Sequence, residues 1–274
     1  MTLCSSGALP IRVSIMPNTP TSTGKPTESA TFWGRAARIS PEPASTVARP
    51  MPSMATGAIK QFPANATVNF GLAPDGFLWD SRNNPNGTMD IVRIDPESGE
   101  IVNRYPRTPW FSYQHDVTGD GRFVAGSGPV GPNYNQSWLL DVQTGKVYET
   151  TTPEQDHGAA RGGFDRFGDA WFGGRAGPLV QIVNEIAKGK GVRTQLHWPP
   201  TPLFPYTDFY TATADKNGEI WGGVAHGRGF IRFNPKTDHW TVYENPEPSA
   251  LNRFQWIDNS TTPPTISGPT GWRA

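Results

Sequence analysis

Short runs of β-branched and aromatic residues alternate with polar ones through the middle of the chain, and each run is closed by a Gly-bearing turn. The runs are of strand length: FLW at 77–79, DIVRI at 90–94, EIVNRYP at 100–106, EIW at 219–221, GFIRF at 229–233 and HWTVY at 239–243. Only QIVNEIAKG at 181–189 has a spacing that also suits a helix, and it is short. The turns APDG, TGDG, DRFG and DKNG end at Gly76, Gly121, Gly168 and Gly218, in steps of 45, 47 and 50 residues. IDPESG at Ile94, LDVQTG at Leu140 and FNPKTD at Phe233 keep the same phase, as do the prolines Pro106, Pro153, Pro199 and Pro246. Three markers sharing one period of about 46 residues, with about four strands in each, predict an all-β protein built as a β-propeller.

The pattern is confined to the middle. Residues 1–57 carry only Glu28 and Glu42 as acids among many Ser, Thr, Pro and Ala, without alternation, and read as irregular or disordered. Residues 58–258 carry the blades, with AIKQFP at 58–63 resembling an outermost strand and ALNRFQWID at 250–258 the first strand of a further blade. Residues 259–274 read as an irregular tail. About four complete four-stranded blades plus partial ones are therefore expected. Seven blades would need roughly 320 residues, more than the 274 present. Three arrangements follow: a small closed ring, closure by pairing AIKQFP with ALNRFQWID, or an incomplete seven-bladed propeller, the one favoured.

Composition narrows the function classes. Thirty Gly and 28 Pro suit a turn-rich β protein, and 35% hydrophobic residues without a long apolar run argue against a membrane helix. Net charge is zero, so nothing favours nucleic acid or a membrane surface. The single Cys4 excludes an intrachain disulfide and a Cys-based metal site. No apolar signal-peptide core is visible near Met1.

In a four-stranded meander the tight Gly turns share one face and the long irregular loops the other, where function on a rigid β scaffold gathers. His115, His157, Arg161, Arg175, Asp208, Tyr210, His226 and Arg228 fall on that loop face or at the tops of inner strands. Arg161, Arg175, Asp208, Tyr210, His226 and Arg228 are candidate ligand contacts, and His115 and His157 candidate catalytic groups. Each has a plainer reading as a hydrogen-bonded strand residue or a solvated loop residue. Trp79, Trp171 and Trp221 read as packing between blades, and His197 and His239 as structural.

The DxxGxxW unit followed by R(I/F)(D/N)PxTG, with inner strands opening on His in QHDVTGDG and DHGAARGGFDRFGDAWFGG, resembles the streptogramin B lyase (virginiamycin B lyase) group of propellers over about residues 58–260. The resemblance implies seven blades, a periplasmic or secreted location, and a Mg2+-assisted C–O elimination that linearises a cyclic depsipeptide, using His and Glu residues above the channel. His115 and His157 match the histidine positions. The WFTE motif whose Glu supplies the carboxylate reads here WDSR, FVAG, WFGG and WGGV, without that Glu. An elimination needs both a base and a cation or acid to stabilise developing charge. Two functions are therefore weighed: a module that binds a small molecule, peptide or protein through its loop face, and an active Mg2+-dependent lyase. The metal ligands stay unassigned, and so does the oligomeric state.

Overall fold

The computed structural model describes residues 13–16, 70–86, 88–107, 113–128, 136–151, 159–174, 177–200, 208–224, 229–244 and 256–269. Four meanders follow the repeat. The first is β2 (Gly71–Leu72), β3 (Leu78–Asn83), β4 (Met89–Ile94) and β5 (Ile101–Arg107), after a short N-terminal strand β1 (Val13–Met16). The second is β6 (Gln114–Val117), β7 (Phe123–Gly128), β8 (Gln136–Asp141) and β9 (Lys146–Thr151). The third is β10 (Ala159–Phe164), β11 (Ala170–Gly174), β12 (Leu179–Glu185) and β13 (Gly191–His197). The fourth is β14 (Phe209–Ala214), β15 (Ile220–Val224), β16 (Gly229–Asn234) and β17 (His239–Glu244). A fifth, smaller sheet joins β18 (Trp256–Asp258), β19 (Thr265–Pro269) and β1 in the order β1-β19-β18. The architecture is an all-β propeller, as the periodicity predicts.

Each tight turn follows one hydrogen-bond scheme. The Gly N–H donates to the carbonyl three residues earlier, at Gly76–Ala73, Gly121–Thr118, Gly168–Asp165 and Gly218–Asp215. All four glycines have φ between 72° and 87°, a left-handed conformation that favours Gly. In the third and fourth meanders the turn begins with an Asp that does two things. Asp165 Oδ1 accepts from the Phe167 and Asp169 N–H groups at 2.8 and 3.1 Å, while its Oδ2 accepts from Trp171 Nε1 at 2.9 Å. Asp215 repeats this with Asn217, Glu219 and Trp221 Nε1, at 2.8, 3.0 and 3.1 Å. The carboxylate thus closes the turn and satisfies the indole at the same time.

The cores lie between neighbouring sheets. Trp79, Ile91, Val117, Val124, Trp138 and Leu140 form one cluster across the first and second sheets. Trp171, Leu179, Phe209, Ile220, Ile231 and Phe233 form another across the third and fourth. Burying each such Leu, Ile or Phe contributes about 1.5–3 kcal/mol. His197, half-buried on β13, packs against this second cluster: it lies 5.0 Å from the Trp171 ring and 4.9 Å from Phe233 and bonds Gln181 Oε1 at 2.8 Å. Burial lowers its pKa to about 4, which keeps it neutral.

Three features depart from the sequence reading. Val13–Met16, inside the stretch read as irregular or disordered, is a strand that pairs in parallel with Thr265–Pro269. Thr265–Pro269, inside the stretch read as a tail, forms β19: Ile266 pairs with Ile257, and both pack on Trp221 and Tyr243 of the fourth sheet. A lone Ile beside Gly and Pro carries no strand pattern of its own, so tertiary burial makes this strand. The third and fourth meanders, moreover, are one eight-stranded sheet, because inner strands β10 and β14 pair in parallel at Arg161–Thr211 and Gly162–Ala212. Small residues permit this approach. A Cβ on Gly173 would stand 2.5 Å from the Phe209 carbonyl oxygen.

Candidate functional site

The inner strands β6, β10 and β14 start on the loop face, and Tyr113, Arg161 and Tyr210 meet near those starts. Strand β6 is joined to β10 by side chains. Gln114 Nε2 donates to Gly162 O at 2.5 Å, Gly162 N donates to Gln114 Oε1 at 3.2 Å, and Phe164 N donates to Asp116 Oδ2 at 2.7 Å. Gln114 and Asp116 thereby stand in for the backbone pairing that β10 makes with β14. Burial raises the Asp116 pKa to about 6, against the lowering effect of the Phe164 and Val117 N–H groups.

Strands β10 and β14 each carry an irregularity near the start, between Ala159 and Gly162 and between Phe209 and Thr211. Such bulges re-aim side chains and are over-represented beside functional sites. Here they turn Arg161 and Tyr210 toward each other and toward Tyr113, the residue before β6. The Arg161 guanidinium carbon lies 5.0 Å from the Tyr113 ring centroid and 5.3 Å from that of Tyr210. The two rings meet edge to face at 6.2 Å, and their hydroxyls are hydrogen-bonded to each other. Arg161 is buried at 6% exposure, whereas both tyrosines are half-buried. Thr211, in register with Arg161, is buried too, and its Oγ1 has no hydrogen-bond partner among the described residues. Asp208 stands half-buried immediately before β14.

Three of the sequence candidates, Arg161, Asp208 and Tyr210, therefore lie at one end of the inner strands, Arg161 and Tyr210 in direct contact. His115 lies in a different environment. Its Nε2 is 2.8 Å from Ser81 Oγ on β3, its ring is 5.5 Å from that of Trp138, and Gly71 packs on its backbone. It is 2% exposed and bridges the first and second sheets. Next to Ser81, the fully buried Asp80 is raised to about 6 by desolvation, opposed by the Ser81 N–H and by Arg82. His157, Arg175, His226 and Arg228 lie outside the described residues. Sequence reasoning did not single out Tyr113, Gln114 or Thr211. Tyr113 closes the aromatic loop segment PRTPWFSYQ, while the contributions of Gln114 and Thr211 depend on strand register.

For a Mg2+ ion, the described residues include no group of three or more His, Cys, Asp or Glu side chains placed to hold a metal. Of the two candidate histidines the described one, His115, is engaged with Ser81. The described donor set does not fit the ion.

No known family profile matches the chain. None of the curated proteins matches it either. Solved structures do. The selenomethionine form of virginiamycin B lyase from Staphylococcus aureus superposes with a TM-score of 0.52 at 16% identity, covering 70% of this chain and 60% of the lyase. A catalytically inactive variant of the Staphylococcus aureus enzyme with quinupristin gives 0.51 at 14% identity, covering 73% and 78%. A streptogramin B lyase gives 0.51 at 17% identity, covering 73% and 63%. At these identities the likeness is one of fold, and the chain spans about 60% of the length of the first of these lyases.

Proposed function

We propose that the protein is a streptogramin lyase-like propeller module that binds its ligand through the loop face without transforming it. The single observation that carries this is the cluster of Tyr113, Arg161 and Tyr210. Two bulged inner strands and the residue before a third bring one buried cation between two aromatic rings, with the Thr211 hydroxyl, which has no hydrogen-bond partner among the described residues, in register beside it. Rigid aromatic surface and a few fixed polar groups, held on strands, are what a small-molecule or peptide site requires. Catalysis lacks comparable support. The only described candidate histidine is held between two sheets by Ser81, and the sequence has no Glu at the WFTE position.

The second reading, a Mg2+-dependent lyase opening a cyclic depsipeptide, rests on the lyase-like repeat and on the fold shared with virginiamycin B lyase. One probe separates the two. Quinupristin, the compound held by the inactive lyase, is titrated into the protein and then incubated with it and Mg2+. The module reading expects saturable binding that weakens at least about tenfold, roughly 1.4 kcal/mol, in Arg161→Lys, with the compound recovered at unchanged chromatographic retention. Recovery of a ring-opened product supports the lyase instead. Absence of binding overturns the loop face as a site for this class of cyclic peptide.

A further inference from the structure

On the opposite, tight-turn face, a groove of about 410 Å3 runs along the outer rim between the second and third sheets. Its walls come from β9, with Lys146, Tyr148 and Glu149, and from the turn into β13, with Gly189, Lys190 and the first strand residue Gly191. Both flanking strands are the outer edges of their sheets, and edges present backbone N–H and C=O groups that no neighbouring strand takes up. Gly189 and Gly191, with φ of 72° and 80°, put no side chain on this turn, and the Tyr148 ring lies 3.6 Å from where a Gly191 Cβ would stand.

Charge here departs from the neutral balance of the whole chain. Lys188 and Arg193 both converge on Glu185, at 3.3 and 3.6 Å. The Lys188 hydrogen bond, and then the charges of Lys188, Lys190 and Arg193, hold the Glu185 carboxyl below its usual range. Lys146 lies 4.4 Å over the Tyr148 ring, and neither Lys146 nor Lys190 makes an ion pair among the described residues. Lys146 and Lys190 thus line the groove against the single carboxylate Glu149, and beside it Lys188 and Arg193 share the one carboxylate of Glu185.

We propose that this groove docks an extended acidic segment of a partner protein, its backbone along the rim and its carboxylates on Lys146 and Lys190. An extended chain can use a free edge, and a positive lining selects acidic side chains. The site is separate from the loop-face cluster, so it stands whether or not the ligand reading above holds.

The test is fluorescence anisotropy with a labelled octaglutamate peptide. Saturable binding is expected in about 50 mM salt, falling steeply by about 300 mM because the charges are exposed. Lys146→Glu combined with Lys190→Glu should weaken binding at least about tenfold, and Tyr148→Ala severalfold, while Lys236→Glu on the fourth sheet should leave it unchanged. Lys146, Lys190 and Lys236 are exposed and Tyr148 is half-buried on an edge strand, and circular dichroism confirms the fold. No binding, equal loss in Lys236→Glu, or full binding by the double variant overturns the proposal.

Discussion

The third and fourth meanders fasten their tight turns with an Asp carboxylate on a Trp indole, whereas the first keeps the indole and has Ala73 where the acid would stand. The backbone there is the same: Ala73 N donates to Phe77 O as Asp165 N does to Asp169 O and Asp215 N to Glu219 O. Trp79 is as buried as Trp171, at 1% each, but its Nε1 has no partner among the described residues. The second sheet departs further. Its turn closes one residue later, at Thr118 to Phe123, so the register position opposite Asp116 falls on Ala125. Trp138 of β8 fills that region instead, its ring lying where a Cβ on Gly126 would need to be. The joints between sheets differ in the same sense, backbone to backbone at β10–β14 but through Gln114 and Asp116 at β6–β10. The repeat thus preserves a backbone scheme, while the side chains that complete it are interchangeable.

The largest way to break this comparison is at Gly162, which belongs to both kinds of joint. A Cβ there would stand 1.7 Å from the Trp171 carbonyl oxygen. Gly162→Ala should cost about 3 kcal/mol in urea unfolding, and a cost below about 1 would show that β10 is free to shift. Removing the clasp comes next. Asp215→Ala leaves the Trp221 Nε1 and two turn N–H groups without their acceptor and should cost about 2 kcal/mol, against near zero for an exposed control such as Lys236→Ala.

The side-chain joint should also be visible in pH dependence. Asp116 and Asp80 are each raised from 3.8 to about 6. Between those values the native state holds protons that the unfolded chain has released, so these groups make stability fall as pH rises from about 4 to about 6. Asp116→Asn should remove about half of that fall, measured as the urea midpoint at about pH 4.5 and about pH 6.5. An unchanged slope would assign it to Asp80 alone. The smallest effect is a gain. Ala73→Asp supplies the missing acceptor for Trp79 and should stabilise the first sheet by about 1 kcal/mol at neutral pH. A loss of stability would mean that the first turn cannot close the clasp.

Much of the fold was legible because turn chemistry and strand alternation are local. Gly-closed turns, strand-length runs and, in three of the four repeats, a tryptophan after the turn recur at one period, and the propeller follows from them. The β12 segment shows the limit in one direction: QIVNEIAKG has helix-compatible spacing, yet Leu179–Glu185 is a strand and only Ile186–Lys188 makes a 3-10 turn. Strand β19 shows the other, since Ile266 has strand character only when set against Ile257 and Trp221. For the site, Arg161 and Tyr210 could be named from their place at strand tops. Their convergence with Tyr113 could not, because it depends on two bulges that shift register without leaving a residue signature. The strand that carries His115 is legible in the alternation, but which neighbour its ring meets is set by the packing of β3 against β6.

The central claim is that the loop-face cluster binds and does not transform its ligand, and titration of quinupristin into the protein and its Tyr210→Phe variant tests it most directly. Tyr210→Phe removes only the hydroxyl that meets Tyr113 and keeps the ring over Arg161. The account expects saturable binding by the protein, weakened severalfold in the variant, with quinupristin recovered intact in the presence of Mg2+. Equal affinity in both proteins, or recovery of a ring-opened product, would contradict it.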